Sequence, residues 1–239
     1  MYRLYEENDF DFSICRGTPT IYISDIDETY LKTDFRTIRG LITTTFQYAI
    51  DRIVYPGMSE FYRTIKKDGD SALFFLSSSP HQMKELFRRK LLLEEVPYDG
   101  MVLRDLVHLL ATGGTTEMRN PFGFKLFATL KLAASFPDGS RIVLIGDDTE
   151  SDAGVYEAFK RITDGSLGGG ELSKILAGRE IQDKNIAAII ATIGAAAGQG
   201  LEVTRIFIRD TGRGCGASGV VLFRHPGEML DILIGDGVL

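Results

Sequence analysis

Short apolar runs that each end on small, hydroxyl or acidic residues, followed by stretches with helical periodicity, recur along this 239-residue chain. The run TIYIS at 20–24 leads into Asp25, SALFFL at 71–76 into Ser77, Ser78 and Ser79, and RIVLI at 141–145 into Gly146 and the acidic cluster Asp147, Asp148, Glu150 and Asp152. A further run at 101–103 follows the turn signal Tyr98-Asp99-Gly100. Apolar runs too short for helices suit strands buried on both faces. Their alternation with helical stretches predicts an α/β fold with a mostly parallel sheet. Ligands of such sheets bind outside the carboxyl ends of the strands, so chemistry is expected in the residues that follow each run.

Pro80 is placed to open a helix at its first position, continuing through Met83, Leu86 and Phe87, and another helix is expected over 122–134. The C-terminal part reads as a strand at 203–208, a Gly-rich turn, a strand at 220–223 and a closing helix near 227–233. The turn TGRGCGASG at 211–219 separates two strands instead of opening a helix, so a hairpin is expected there in preference to a nucleotide-binding loop. One domain over 1–239 is expected. It carries a small cap-like insertion at 36–53 and a helical insertion at 165–200, Gly-rich at both ends, with helical runs near 171–177 and 183–197.

Composition excludes several functions. A net charge of −6 and a pI near 5.2 give no global attraction to nucleic acid or to an anionic membrane surface. No stretch approaches the roughly 20 apolar residues that a membrane span needs, and the acidic N-terminal residues Glu6, Glu7, Asp9 and Asp11 do not resemble a secretory signal. The 2 cysteines, Cys15 and Cys215, lack CxxC spacing and are expected as free thiols in a reduced, cytoplasmic setting. His81, His108 and His225 have no zinc-like spacing. His81, just after SSSP, suits either a substrate contact or a helix surface.

Asp25 and Asp27 stand two apart at a strand end, with Thr29 following. Carboxylates so placed repel unless a cation offsets them, and Mg²⁺ with its oxygen ligands would do so, the cluster from Asp147 to Asp152 being its second source. Alone, an acidic pair is more often a solvated turn. Ser77 and Ser78, at a strand end before a helix, fit a phosphate site, while Ser78 or Ser79 equally fits a helix cap; the two roles can coexist. Lys125, early in a helix among Phe122, Phe124 and Phe127, could neutralise a phosphoryl group, although an isolated helical lysine is usually a surface charge.

The conjunction is far more specific than its parts: strand-DIDET, strand-SSSP, helix-lysine, strand-GDDTESD, in that order. These residues resemble the four motifs of the haloacid dehalogenase (HAD) superfamily of phosphatases. Through YISDIDET, VYPGMSEFYR, FFLSSSPHQM, DGMVLRD, FKLFATLKLAASFPDGSRIVLIGDDTESDAGVY and IFIRD, the chain is similar to the catalytic domain of the actin-patch-type phosphatidate phosphatases and their bacterial relatives. The resemblance implies an HAD-like Rossmannoid three-layer α/β fold with a minimal cap. Asp25 would be the nucleophile forming an aspartyl-phosphate, and Asp27 the acid and then base. Asp25, the Asp27 carbonyl and Asp147 would hold Mg²⁺, with Asp148 or Asp152 in support. Ser77 would bind phosphoryl oxygens and Lys125 would stabilise their charge. The substrate would be a small phosphorylated molecule, phosphatidate or another phosphorylated metabolite. The family pattern is expected to carry aspartate where Glu28 stands, histidine at Phe124 and serine at Asp148. Competing readings are a phospho-acceptor regulatory module and a non-catalytic binding scaffold; the second aspartate, Asp27, favours hydrolysis.

Overall fold

The computed structural model describes residues 2–15, 17–32, 53–67, 69–106, 120–149 and 151–239. The insertion expected at 36–53 lies outside them apart from Ile53, as do His108 and Glu150.

Seven strands form one sheet: β1 (Leu4–Asn8), β2 (Thr20–Ser24), β3 (Ser71–Pro80), β4 (Gly100–Arg104), β5 (Arg141–Asp147), β6 (Glu202–Arg209) and β7 (Val221–Phe223). Their order is β1-β4-β3-β2-β5-β6-β7, parallel except where β1 runs antiparallel to β4. The α-helices among the described residues are α1 (Met58–Ile65), α2 (Lys84–Leu93), α3 (Phe122–Ala133), α4 (Asp152–Thr163), α5 (Gly169–Gly178), α6 (Asp183–Ala197) and α7 (Pro226–Gly235). The chain builds β3 and β4 outward on one side of β2, then returns to place β5 and β6 on the other. That reversal opens a crevice at the carboxyl end of β2. Asp25, the serines of β3 and Asp147 all meet there.

Every position of β2 is buried because helices cover both faces of the sheet. Ile21 and Ile23 pack in the layer that holds α3, α4, α5 and α6, whereas Tyr22 faces α1, α2 and α7. α3 is mostly apolar and buried on every side, and only its Lys131 reaches the surface, 2.7 Å from Glu6. Such a helix needs cover on all sides. The sheet supplies it below, and α6 packs across it on the other side. Part of the 165–200 segment is therefore an outer wall over the helix that carries Lys125.

Several local expectations change. β3 runs on through the serines to Pro80, a 3-10 turn occupies His81–Met83, and α2 begins only at Lys84. Its register with β4 shifts between Ser77 and Pro80, so the strand bulges at the serines while Pro80 still pairs with Arg104. The expected hairpin at 211–219 is absent, because β6 and β7 are parallel. Gly-rich turn chemistry shows where the chain turns, and strand direction follows from packing. β1 falls in the acidic N-terminal segment, where no strand is signalled. As an edge strand it leaves Glu6 and Asn8 exposed, a pattern that discourages further pairing. Among the described residues Cys15 and Cys215 form no disulfide, and no described helix is long and apolar enough to cross a membrane.

Candidate active site

β2 ends at Ser24, and the next residue is held from both neighbouring elements. The Asp25 N–H donates to the Ile145 carbonyl of β5 at 2.9 Å. Ser24 Oγ donates to the Asp25 carbonyl at 3.0 Å and lies 2.6 Å from the hydroxyl of Tyr62 on α1. Burial pushes the Tyr62 phenol well above its ordinary range, so it acts as a neutral strut. Asp25 itself is fully buried.

Lys125 enters the crevice from α3, with its Nζ 2.9 Å from Asp25 Oδ1 and 2.5 Å from Asp152 Oδ1. Its side chain and both carboxylates are at most 1% exposed. An ammonium stays charged in such a place only when paired, and here two carboxylates pair it. Asp152, on the first turn of α4, also accepts the Asp147 N–H on Oδ2 at 3.3 Å. Asp147 closes β5; its Oδ1 accepts from the backbone N–H and the hydroxyl of Thr149, and its Oδ2 from Thr29 Oγ1 at 3.3 Å.

Asp25, Asp147 and Asp152 each offer a carboxylate oxygen within 4.8 Å of the others, all buried, and could hold a metal ion. The all-oxygen donor set fits a hard divalent cation.

Asp27, two residues beyond Asp25, is held differently. Its Oδ2 accepts from Ser77 Oγ and from Ser79 Oγ, both at 2.7 Å. Ser77 Oγ in turn accepts the Ser79 N–H at 3.0 Å. The bulge of β3 between Ser77 and Pro80, closed by that contact, accompanies the convergence of both hydroxyls on one carboxylate. Ser78, between them, is half-buried. Ser79, expected only as a helix cap, thus belongs to the site. The serine run signals this only once the strand is known to run past Leu76.

Asp148 points away from the acidic cluster. Its Oδ1 accepts the Thr211 N–H at 3.0 Å and its Oδ2 accepts those of Arg213 and Gly214, each at 3.1 Å. Burial works to raise its pKa, but the Thr211, Gly214 and Arg213 hydrogen bonds outweigh that and hold the carboxyl below its ordinary value. It ties the loop between β6 and β7 to the end of β5. Glu28, which follows Asp27, turns instead toward Tyr55 and Arg209. His81 lies 3.9 Å from Asp105 and is partly exposed at the rim beyond Pro80.

The crevice therefore gathers Asp25, Asp27, Ser77, Ser79, Lys125, Asp147 and Asp152. A carboxylate beside an ammonium, a second carboxylate under hydroxyl control and an acidic trio able to hold a cation can together serve phosphoryl transfer.

A family model described as "Phosphatidate phosphatase APP1, catalytic domain" matches residues 20–167, a stretch that contains all seven of these residues. No curated protein matches the chain. Two solved structures, a Pnkp1/Rnl/Hen1 complex and the Pnkp1/Rnl/Hen1 RNA repair complex, align at 17% and 18% identity with TM-scores of 0.39 and 0.40. The alignments cover 61% and 66% of this chain and 44% and 42% of theirs, so less than half of each of those chains is spanned.

Proposed function

The chain belongs to the family of the phosphatidate phosphatase APP1 catalytic domain, and from that premise we propose that it is a Mg²⁺-dependent phosphomonoester hydrolase of the HAD type that works through an aspartyl-phosphate. The observation that carries this reading is the contrast between two carboxylates. Asp25 lies against Lys125, 2.9 Å away, and Asp27 sits under two serine hydroxyls. Different surroundings suit them to different roles.

Asp25 attacks phosphorus, the ester P–O bond breaks, and the phosphoryl group passes to the carboxylate oxygen. Asp27 protonates the departing ester oxygen, then takes a proton from the water that hydrolyses the acyl phosphate. Ser77, turning its hydroxyl from Asp27 to the bound substrate, and Ser78 beside it would supply hydrogen bonds to the phosphoryl oxygens, and Lys125 offsets their charge as it develops. Asp25, Asp147 and Asp152 would hold Mg²⁺, and the Asp27 carbonyl would complete that set. Bound there, the ion would draw charge from the phosphoryl oxygens. The engagement of Asp148 with the 211–214 backbone favours Asp152 over Asp148 as the supporting carboxylate. The family points to a phosphorylated lipid, phosphatidate, as the substrate.

The test is Mg²⁺-dependent release of phosphate from an aryl phosphate, abolished in Asp25→Asn and strongly reduced in Asp27→Asn. Activity that survives intact in pure Asp25→Asn protein removes Asp25 as nucleophile. A parallel screen of phosphatidate in mixed micelles against soluble sugar and nucleotide phosphates decides the leaving group. Turnover of soluble esters alone would reject the lipid.

A further inference from the structure

Glu28 stands between Asp27 and Thr29, and it adopts a left-handed backbone conformation, with φ at 55°. For a residue with a side chain this region is disfavoured, because Cβ crowds the following carbonyl. It is held there by Arg209, at the end of β6. Arg209 Nε donates to the Glu28 carbonyl at 2.5 Å, and Nη2 lies 3.3 Å from Glu28 Oε2. Tyr55 completes the clamp: its hydroxyl donates to the same Oε2 at 2.5 Å, and its ring lies 3.7 Å beneath the Arg209 guanidinium. One guanidinium thus grips both the main chain and the side chain of a single strained residue, which a forked planar cation does well.

Arg209 is itself fixed to the metal-binding edge of the sheet. It pairs with Asp147 in the β5–β6 register, and its carbonyl accepts the Asp148 N–H at 3.3 Å. The turn it grips is closed by Glu28 N–H to the Leu31 carbonyl at 2.8 Å and Leu31 N–H to the Ile26 carbonyl at 2.8 Å. On one side of Glu28 that turn delivers Asp27 to Ser77 and Ser79; on the other it delivers Thr29 to Asp147, 3.3 Å away.

We propose that Arg209 is a positioning residue: by gripping the left-handed Glu28 it sets the Asp27 carboxylate and the Thr29 hydroxyl in place at the same time. It acts through Glu28, not on the reacting atoms. This rests on the proposed hydrolase reading for its kinetic consequences, and its structural consequence stands apart from that reading.

The experiment compares wild type, Arg209→Ala, Arg209→Lys and the double variant Arg209→Ala with Glu28→Gly. Kinetics use an aryl phosphate with saturating Mg²⁺, and crystal structures are determined for each. Arg209→Ala is expected to lower kcat about 100-fold with KM within about threefold, as befits lost alignment of groups that act in the transition state. Arg209→Lys, able to reach one of the two Glu28 oxygens, is expected to fall between and serves if the alanine variant does not fold. Glycine tolerates positive φ, so the double variant should regain at least about tenfold in kcat. A bystander salt bridge would give no such rescue. In Arg209→Ala crystals Asp27 should leave at least one of Ser77 and Ser79. Wild-type kcat in Arg209→Ala, no rescue by glycine, or an unmoved Asp27 would each overturn the proposal. Should wild type release no phosphate, the hydrolase reading fails by itself and the Asp27 position in the Arg209 variants decides this one.

Discussion

A Cβ placed on Gly146 would lie 2.5 Å from the Asp152 Cβ and 2.6 Å from its Oδ2. The first turn of α4 can dock on the end of β5 only because position 146 has no side chain, and that docking brings Asp152 to Lys125 and to the Asp147 N–H. Gly146→Ala should push Asp152 outward without touching the core below. Mg²⁺ affinity by titration calorimetry is expected to fall about 10- to 100-fold, as when groups that orient a metal ligand are lost. Unchanged affinity would show that Asp152 does not take part.

Lys125 is a test of charge balance. Its removal leaves Asp25 and Asp152 facing each other in a buried site, so Lys125→Met should destabilise the ion-free protein by about 3–5 kcal/mol, the usual cost of stripping one partner from a buried ion pair. Because a divalent cation can replace some of the missing charge, millimolar Mg²⁺ should recover part of that loss. Urea unfolding with and without Mg²⁺ measures both. An identical loss in the two conditions would mean that cation and lysine do not share the same carboxylates.

Ser77 and Ser79 should matter together, since both hydroxyls donate to Asp27 Oδ2 at 2.7 Å. Each hydroxyl fixes where the Asp27 carboxyl sits for proton transfer, so Ser77→Ala and Ser79→Ala are each expected to lower kcat about 10- to 100-fold, the scale of a small misplacement of a reacting group. If Ser79→Ala keeps wild-type kcat, its hydroxyl only fastens the bulge of β3.

What could be read from the sequence follows from which residues announce their neighbours. The central strands and the order of Asp25, Ser77, Lys125 and Asp147 were legible because each sits where an apolar run ends or a helix begins, and local pattern marks those places. Phe122–Ala133 was legible as a helix, but its all-round burial makes sense only once α6 is seen to cover it. Asp148 and Asp152 looked equivalent in GDDTESD. Their separation depends on a loop some 60 residues later that captures one, and on the glycine that admits the other. The Arg209 grip on Glu28 spans 181 residues of sequence and leaves no periodic trace.

Asp148 also yields a pH signature. Its Oδ1 accepts the Thr211 N–H while Oδ2 accepts those of Arg213 and Gly214, so Asn, which has one acceptor end and one donor end, cannot replace it. Burial alone would raise the Asp148 pKa, yet these hydrogen bonds win and the folded value lies below the unfolded one. A depressed folded pKa means that the stabilisation is fully present above the unfolded value, about 3.9, and is lost as pH falls through the folded value. The stability gap between wild type and Asp148→Asn should therefore stay constant from neutral pH down to about 5 and close only below about 4. Amide exchange at Thr211, Arg213 and Gly214 reads the same clamp locally, with protection lost in Asp148→Asn at neutral pH. A gap that persists undiminished in strong acid would show that Asn costs stability through its misplaced donor end and not through the lost charge of Asp148.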